Sequence, residues 1–389
     1  MNGNDTSTPA TPPTAAYMVG VCDVDLWGLT PRERFRRSFS RVGVNLIRGD
    51  ESPLPENGGV IMVHAGFIFD NAITGPLVGR TGIVVTADVD GQPVPVAAHV
   101  DADYAADVAA CIRSGIVDTV PAEVEVVNVE ELTSSYDFEL RKKEIPYLLR
   151  IEPDALYPAE WRMFQGSYKG VTDFVTKWFW PVPAFWVTKF VARLGLTPNL
   201  VTTVGLVLVV AAYFLFQEGH YAIGLVAAWI MTFLDTVDGK LARLTLTSSK
   251  FGNLYDHGID LIHPPFWYLA WGFGLAAYGT PLEAGTLSLV LWVVVAGYVV
   301  GRAVEGVFVR VYGMHIHVWQ RIDSVFRLFT ARRNPNMVVL TLAVMLGRPD
   351  IGLIAIAIWT VACILFHTYR LYAAMGVRRR DGAITSWLS

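Results

Sequence analysis

Residues 233–265 read FLDTVDGKLARLTLTSSKFGNLYDHGIDLIHPP, a segment with four aspartates between two strongly apolar stretches. Asp235 and Asp238 are three residues apart and Asp256 and Asp260 four apart, so on helices each pair shares one face. A short connection between the two helices turns all four carboxylates toward one cleft. Unpaired, they repel one another and lose hydration. Divalent cations relieve both costs, and oxygen donors of this kind suit Mg²⁺ or Mn²⁺. Two such ions form a clamp for phosphoryl transfer. Gly239 and Gly252 leave backbone open to a ligand, Ala242 keeps the same face low, and Arg243 suits a phosphate oxygen. Helix-end snorkelling accounts for one aspartate, but not for four in register with an arginine and two glycines.

The rest of the chain sets this segment in a membrane. Of 389 residues, 53% are hydrophobic and only 17% charged, and the mean hydropathy is +0.40, too apolar for an ordinary soluble enzyme. A formal net charge of −4 argues against a nucleic-acid partner. Cys22, Cys111 and Cys363 have neither disulfide-framework nor metal spacing. After residue 165, six apolar stretches (200–218, 221–240, 253–278, 284–311, 336–347 and 350–375) are candidate spans, the fifth short for a crossing of about 20 residues. Arginine and lysine concentrate in one set of loops, at Lys240, Arg243, Lys250, Arg321, Arg327, Arg332, Arg333 and Arg378 to Arg380. The positive-inside rule makes that side, both termini and the aspartates cytosolic, in a protein of the cytoplasmic membrane. Before the first span, Trp178, Phe179, Trp180 and Phe185 interleave with Lys177, Lys189 and Arg193, as in a helix lying in the headgroup layer.

Residues 17–165 alternate short β-branched runs with amphipathic helices, which predicts a cytosolic, Rossmann-like three-layer α/β domain. Strands are expected in GGVIMVHAGFIF, TGIVVTADV and EVEVVNVEEL, and helices in TPRERFRRSFSRVGV and DADYAADVAACIRSG. The polar, Pro/Thr-rich residues 1–16 read as a disordered tail and not a signal peptide. Residues 166–389 then form the six-helix membrane domain.

The order Asp235-x-x-Asp238-Gly239-x-x-Ala242-Arg243, eight residues, Gly252-x-x-x-Asp256-x-x-x-Asp260 resembles the CDP-alcohol phosphotransferase signature at all eight positions. The resemblance covers about residues 166–389 and includes Pro198-Asn199-x-x-Thr202. It implies that an alcohol displaces CMP from a CDP-linked donor, commonly CDP-diacylglycerol, in phospholipid biosynthesis. It further implies that the four aspartates bind two divalent ions, with Asp260 as general base. Asn199, Thr202, Asp238, Gly239, Ala242, Arg243 and Gly252 would hold the CDP, and a homodimer in the bilayer is expected.

Other polar residues have weaker claims. His257 adjoins Asp256 and is a candidate contact for the acceptor, and His263 lies one turn beyond Asp260; each reads first as a packing histidine. Pro264-Pro265 is expected to kink or unwind the third span. Arg302, Arg310, Arg321 and Arg370 are candidates for a phosphorylated acceptor, against the alternative of lipid pairing at the boundary. Residues 17–150 resemble a nucleotidyltransferase domain, which in relatives makes the CDP substrate. Here MVGVCDVDLWGL has no G-x-G, and His64-Ala65-Gly66 stands where an aspartate would end the strand. A degenerate, noncatalytic domain follows. The alternatives are a bifunctional enzyme that still makes its CDP-alcohol, and a transporter with a cytosolic regulatory domain.

Overall fold

The computed structural model describes residues 15–389. They divide into two compact units, the first built from residues 15–137, 143–168 and 244–247, the second from 138–142, 169–243 and 248–389.

The first unit is a sheet covered on both faces. Its strands are β1 (Ala15–Val19), β2 (Leu46–Arg48), β3 (Gly59–His64), β5 (Ile83–Val89), β6 (Gln92–Asp101) and β7 (Glu125–Val127), in the order β2-β1-β3-β6-β5-β7. Short β4 (Phe67–Phe69) pairs instead with β10 (Leu148–Arg150). One face carries Ala16, Ile61, Val63 and Val85 under α1 (Pro31–Ser40) and α2 (Asn71–Gly79); the other carries Tyr17, Val60, Met62 and Val84 under α3 (Ala102–Ser114). Alternate strand residues point to opposite faces, so near-continuous apolar runs are what a sheet buried on both sides requires. Thr30 caps α1, its hydroxyl accepting the Glu33 N–H at 3.2 Å, with Pro31 in the first turn.

Three local expectations change here. Residues 15 and 16 belong to β1, not to a tail; the rest of the expected tail, residues 1–14, lies outside the described residues. The run expected as one strand at 123–132 gives only the three residues of β7. Asn128 then caps the short helix α4 (Val129–Leu132) in a capping box with Glu131. Strand β6 has no counterpart in the sequence reading, because Pro93 and Pro95 argue against a strand. It pairs antiparallel with β3 and β5, so the sheet is mixed. The unit is completed by β8 (Tyr136–Asp137) and α5 (Leu156–Gly166), with β9 (Lys142–Lys143) at the chain crossover.

The second unit is helical. A π turn at Val175–Phe179 leads into α6 (Pro181–Arg193), on which Val182, Trp186 and Phe190 are exposed, as are Trp178 and Phe179 before it. Then follow α7 (Pro198–Gln217), α8 (Tyr221–Leu244), α9 (Lys250–Tyr278), α10 (Ala284–Tyr312), the short α11 (Arg321–Arg327), α12 (Arg333–Met345) and α13 (Pro349–Asp381). Among the described residues, four helices are long and apolar enough to cross a membrane: α7, α8, α10 and α13. The expected count of six is not reproduced on that criterion. Helix α12 has 13 residues, and α9, though 29 residues long, carries Lys250, Asp256 and Asp260 in its first half. Helix α9 also runs unbroken through Pro264 and Pro265 and does not unwind there.

A core of Phe216, Tyr221, Trp267 and Trp271 joins α7, α8 and α9. The Tyr221 hydroxyl donates to the Trp271 carbonyl at 2.5 Å, and the Trp267 indole N–H to the Val209 carbonyl at 2.9 Å. At Gly274 a Cβ would fall 1.9 Å from the Phe216 carbonyl oxygen, so only glycine permits this approach of α7 to α9. That packing fixes the first half of α9, with its aspartates, beside the end of α8.

Candidate active site

Both aspartate pairs arrive on continuous helices, Asp235 and Asp238 on α8, Asp256 and Asp260 on α9. Ser249 caps α9, its hydroxyl accepting the Gly252 N–H at 3.0 Å. Asp235, Asp238 and Asp256 each present a carboxylate oxygen within 4.8 Å of the others. Asp238 is buried at 3% exposure. One of its oxygens accepts from Thr202 Oγ1 at 2.6 Å; the other, Oδ1, is buried without a hydrogen-bond partner among the described residues. Three clustered carboxylates, one of them with a buried, unpartnered oxygen, make a donor set for a hard divalent cation, so these residues fit such an ion.

Asp260 is held differently. Arg333, the first residue of α12, forks between the two helices: Nη1 donates to Asp260 Oδ1, and Nη2 to Asp235 Oδ2 at 2.6 Å. The sequence reading missed Arg333 as a site residue, seeing it only as one of the loop charges.

The expected CDP residues lie on α7 (Asn199 and Thr202), α8 (Asp238, Gly239, Ala242 and Arg243) and α9 (Gly252). A Cβ at Gly252 would come 2.8 Å from Asn199 Oδ1, and one at Gly239 3.2 Å from an Arg243 guanidinium nitrogen. Asn199 and Arg243 therefore close on the two glycines, while Ala242 lies on the same turn of α8 as Gly239. Lys169 belongs to the same neighbourhood. Burial, with Arg141 and Arg243 close by, lowers its pKa to about 8, against the opposing pull of Asp235 and Asp256. Basic groups thus stand within electrostatic reach of the carboxylates. Nothing in the local pattern marks Lys169, which follows α5 in an irregular segment.

The candidate acceptor residues separate. Arg302 lines a small cleft with Tyr298, Glu305, Arg332, Asn336 and His367. Glu305 there receives Arg302 Nη1 at 3.3 Å and also Arg332. His317, held neutral by burial well below the usual imidazole range, lies 3.2 Å from Arg332 Nη2. Arg370 is buried against Asp323 at 2.6 Å and Gln320 at 2.6 Å, with Trp319 under its guanidinium. Arg321 lies exposed over Trp387, and Arg310 is exposed on α10. His257 is exposed, its Nδ1 3.6 Å from Asp256. His263 is buried against Trp267 and bonded to the Ile259 carbonyl at 2.7 Å.

In the first unit, the end of β3, where a nucleotidyltransferase-like domain would need an aspartate, holds His64, whose Nδ1 accepts the Gly66 N–H at 2.9 Å. Burial, then Arg150, lowers the His64 pKa.

Residues 195–331 match the sequence model of the family described as CDP-alcohol phosphatidyltransferase. An uncharacterized protein of Aquifex aeolicus is 26% identical over 198 residues, half of this chain and 91% of that protein. The archaetidylinositol phosphate synthase of Pyrococcus horikoshii is 40% identical over 75 residues, 19% of this chain. The phosphatidylinositol phosphate synthase of Mycobacteroides abscessus is 34% identical over 118 residues, 28% of this chain. The matches span only 39% and 52% of the lengths of those two synthases.

Proposed function

We propose that this protein is a membrane CDP-alcohol phosphotransferase that uses two divalent cations, Mg²⁺ or Mn²⁺, to move a phosphatidyl group from a CDP-linked lipid, in the first instance CDP-diacylglycerol, to an alcohol. The observation that carries this reading is the convergence of Asp235, Asp238 and Asp256, one with a buried unpartnered oxygen, inside the segment that matches the family.

Asp235, Asp238, Asp256 and Asp260 would hold the ions, whose charge would offset that of the diphosphate and of the departing CMP. The chain's own groups do the rest. Asp260 accepts the proton of the acceptor hydroxyl, whose oxygen forms the new bond to the lipid-bearing phosphorus. The bond from that phosphorus to the CMP oxygen breaks, and CMP leaves with the electron pair. Arg243, with Lys169 near it, binds phosphate oxygens. Gly239 and Gly252 admit the nucleotide beside Asn199, and Thr202 orients Asp238.

The cleft at Arg302 and Arg332 holds two guanidinium groups against one carboxylate, Glu305, an excess of positive charge that favours an anionic, phosphorylated acceptor. Four helices meet the length and composition of spans; α9 and α12 complete a six-helix bundle in this reading. The excess of arginine and lysine in one set of loops supports a cytosolic cleft. Exposed Trp178, Trp186 and Phe190 suit a headgroup-layer position for α6. A homodimer belongs to the same proposal.

The first unit acts here as a noncatalytic domain, since His64 is bonded to its own turn where a carboxylate would be needed. Sustained pyrophosphate release from CTP by the full-length protein would reverse that assignment.

The test of the main reading is CMP release by purified protein given CDP-diacylglycerol, Mn²⁺ and a panel of labelled alcohols, with lipid products read by mass. Product formation that stops on chelation is expected. No CMP release with any acceptor would leave a transporter as the better reading.

A further inference from the structure

Arg333 occupies an unusual place for an arginine. Its side chain is 14% exposed, and its guanidinium joins Asp235 of α8 to Asp260 of α9. Asp235 thereby belongs to two groups at once: the three-carboxylate cluster with Asp238 and Asp256, and the Arg333 fork with Asp260. The cluster offers a seat for one cation. The space between Asp235 and Asp260, where a second cation would be shared, is filled by the guanidinium.

We propose that Arg333 is the built-in counter-cation of that second seat and exchanges with the second divalent ion. The inference rests on the metal-binding reading above. Arginine keeps its charge under all ordinary conditions, and its planar fork can satisfy two carboxylates together. Without it, Asp235 and Asp260 would face each other uncompensated in a partly buried site. The lone pairs that accept from Arg333 are those an ion needs. They are also those that a proton from an acceptor hydroxyl needs, so Asp260 works as a base only after the fork opens. Beyond the carboxylates, the one further hydrogen-bond contact of the guanidinium among the described residues is Nη1 to the Met231 sulfur at 3.7 Å, a weak contact. The phosphates of the donor are anions brought to this cleft by the reaction, and they give the freed guanidinium a partner.

The experiment uses full-length protein in detergent, stripped with chelator, and follows Mn²⁺ uptake by the resonance signal of free Mn²⁺ at neutral pH, with no substrate present. Thermal unfolding is recorded with and without Mn²⁺. For Arg333→Gln, the weaker of two Mn²⁺ sites is expected to tighten at least about ten-fold. The metal-free protein is expected to melt lower, and the increase in melting temperature on adding Mn²⁺ to be larger than in the wild type. Arg333→Lys, whose ammonium lacks the fork, is expected to fall between. Unchanged or weaker uptake by a cooperatively unfolding Arg333→Gln overturns the exchange. If that variant does not fold, wild-type affinity in Arg333→Lys overturns it equally. Mn²⁺ uptake at two sites in the wild type preserves the metal reading whichever way the variants fall; no uptake by any of the three proteins removes both.

Discussion

Thr202 on α7 donates its hydroxyl to Asp238 Oδ2 on α8 at 2.6 Å, while Oδ1 of the same carboxylate, which clusters with those of Asp235 and Asp256, is buried with no hydrogen-bond partner among the described residues. The same hydroxyl lies 3.0 Å from the Pro198 carbonyl, one turn back. A hydrogen bond to an ionised group contributes about 1.5–3 kcal/mol. Thr202→Val keeps the shape and removes the donor. Mn²⁺ affinity measured by calorimetry should fall about 10- to 100-fold, with far-ultraviolet circular dichroism unchanged. Wild-type affinity in the variant would mean that Asp238 is oriented by packing alone.

Asp260 stands outside the three-carboxylate cluster and is bound by Arg333. Asp260→Asn keeps an acceptor oxygen for the guanidinium but cannot take a proton. If Asp260 is the base, kcat should drop by about 10²–10⁴ while one Mn²⁺ still binds with wild-type affinity. Turnover within a few-fold of wild type would remove Asp260 from the proton transfer.

At Gly252 a methyl group would sit 2.8 Å from Asn199 Oδ1 and 3.1 Å from Ser249 Oγ, whereas at Gly258, on the same helix, nothing lies within 4 Å. Alanine within a helix is favoured over glycine by roughly 0.5–1 kcal/mol, so stability alone predicts that both alanine variants melt no lower than wild type. Asn199 must nevertheless move in Gly252→Ala. KM for the CDP-linked donor should rise about ten-fold there, by analogy with the cost of a displaced positioning group, and stay unchanged in Gly258→Ala. Equal KM values in the two variants would exclude Gly252 and Asn199 from the nucleotide pocket.

These residues show which parts of the site a sequence reveals. Asp235 with Asp238, and Asp256 with Asp260, are pairs at helical spacing, so one face follows from counting. The partners that complete the cleft come from far along the chain. Arg333 reaches Asp260 across 73 positions and Asp235 across 98, and Lys169 approaches from an irregular segment without periodicity. Arg370, legible only as a charge in an apolar run, is set against Asp323, 47 positions away. The same limit applied to the sheet. Strands β3 and β5 announced themselves by β-branched runs, but β6 hid behind two prolines, and the antiparallel turn it gives the sheet is a matter of pairing that composition does not encode.

Lys169 provides a test that needs no substrate. Burial, with Arg141 and Arg243 near, lowers its pKa from 10.5 to about 8. The folded state therefore disfavours the charged form, and between pH 8 and about 10 the unfolded chain binds more protons at this residue than the folded one. Stability rises with pH wherever the unfolded state binds the extra proton. The contribution of Lys169 should thus be unfavourable and flat below pH 8, and relieved as pH climbs through 8 toward 10. Lys169→Met removes the titration. Its melting temperature minus that of the wild type should be positive at pH 7 and shrink toward zero by pH 10, in detergent and without metal. Added CDP should reverse the order in the wild type's favour, because an anion beside Lys169 restores the value of its charge. A difference that does not change with pH would show that Lys169 titrates as an ordinary surface lysine and takes no part in the basic rim of the cleft.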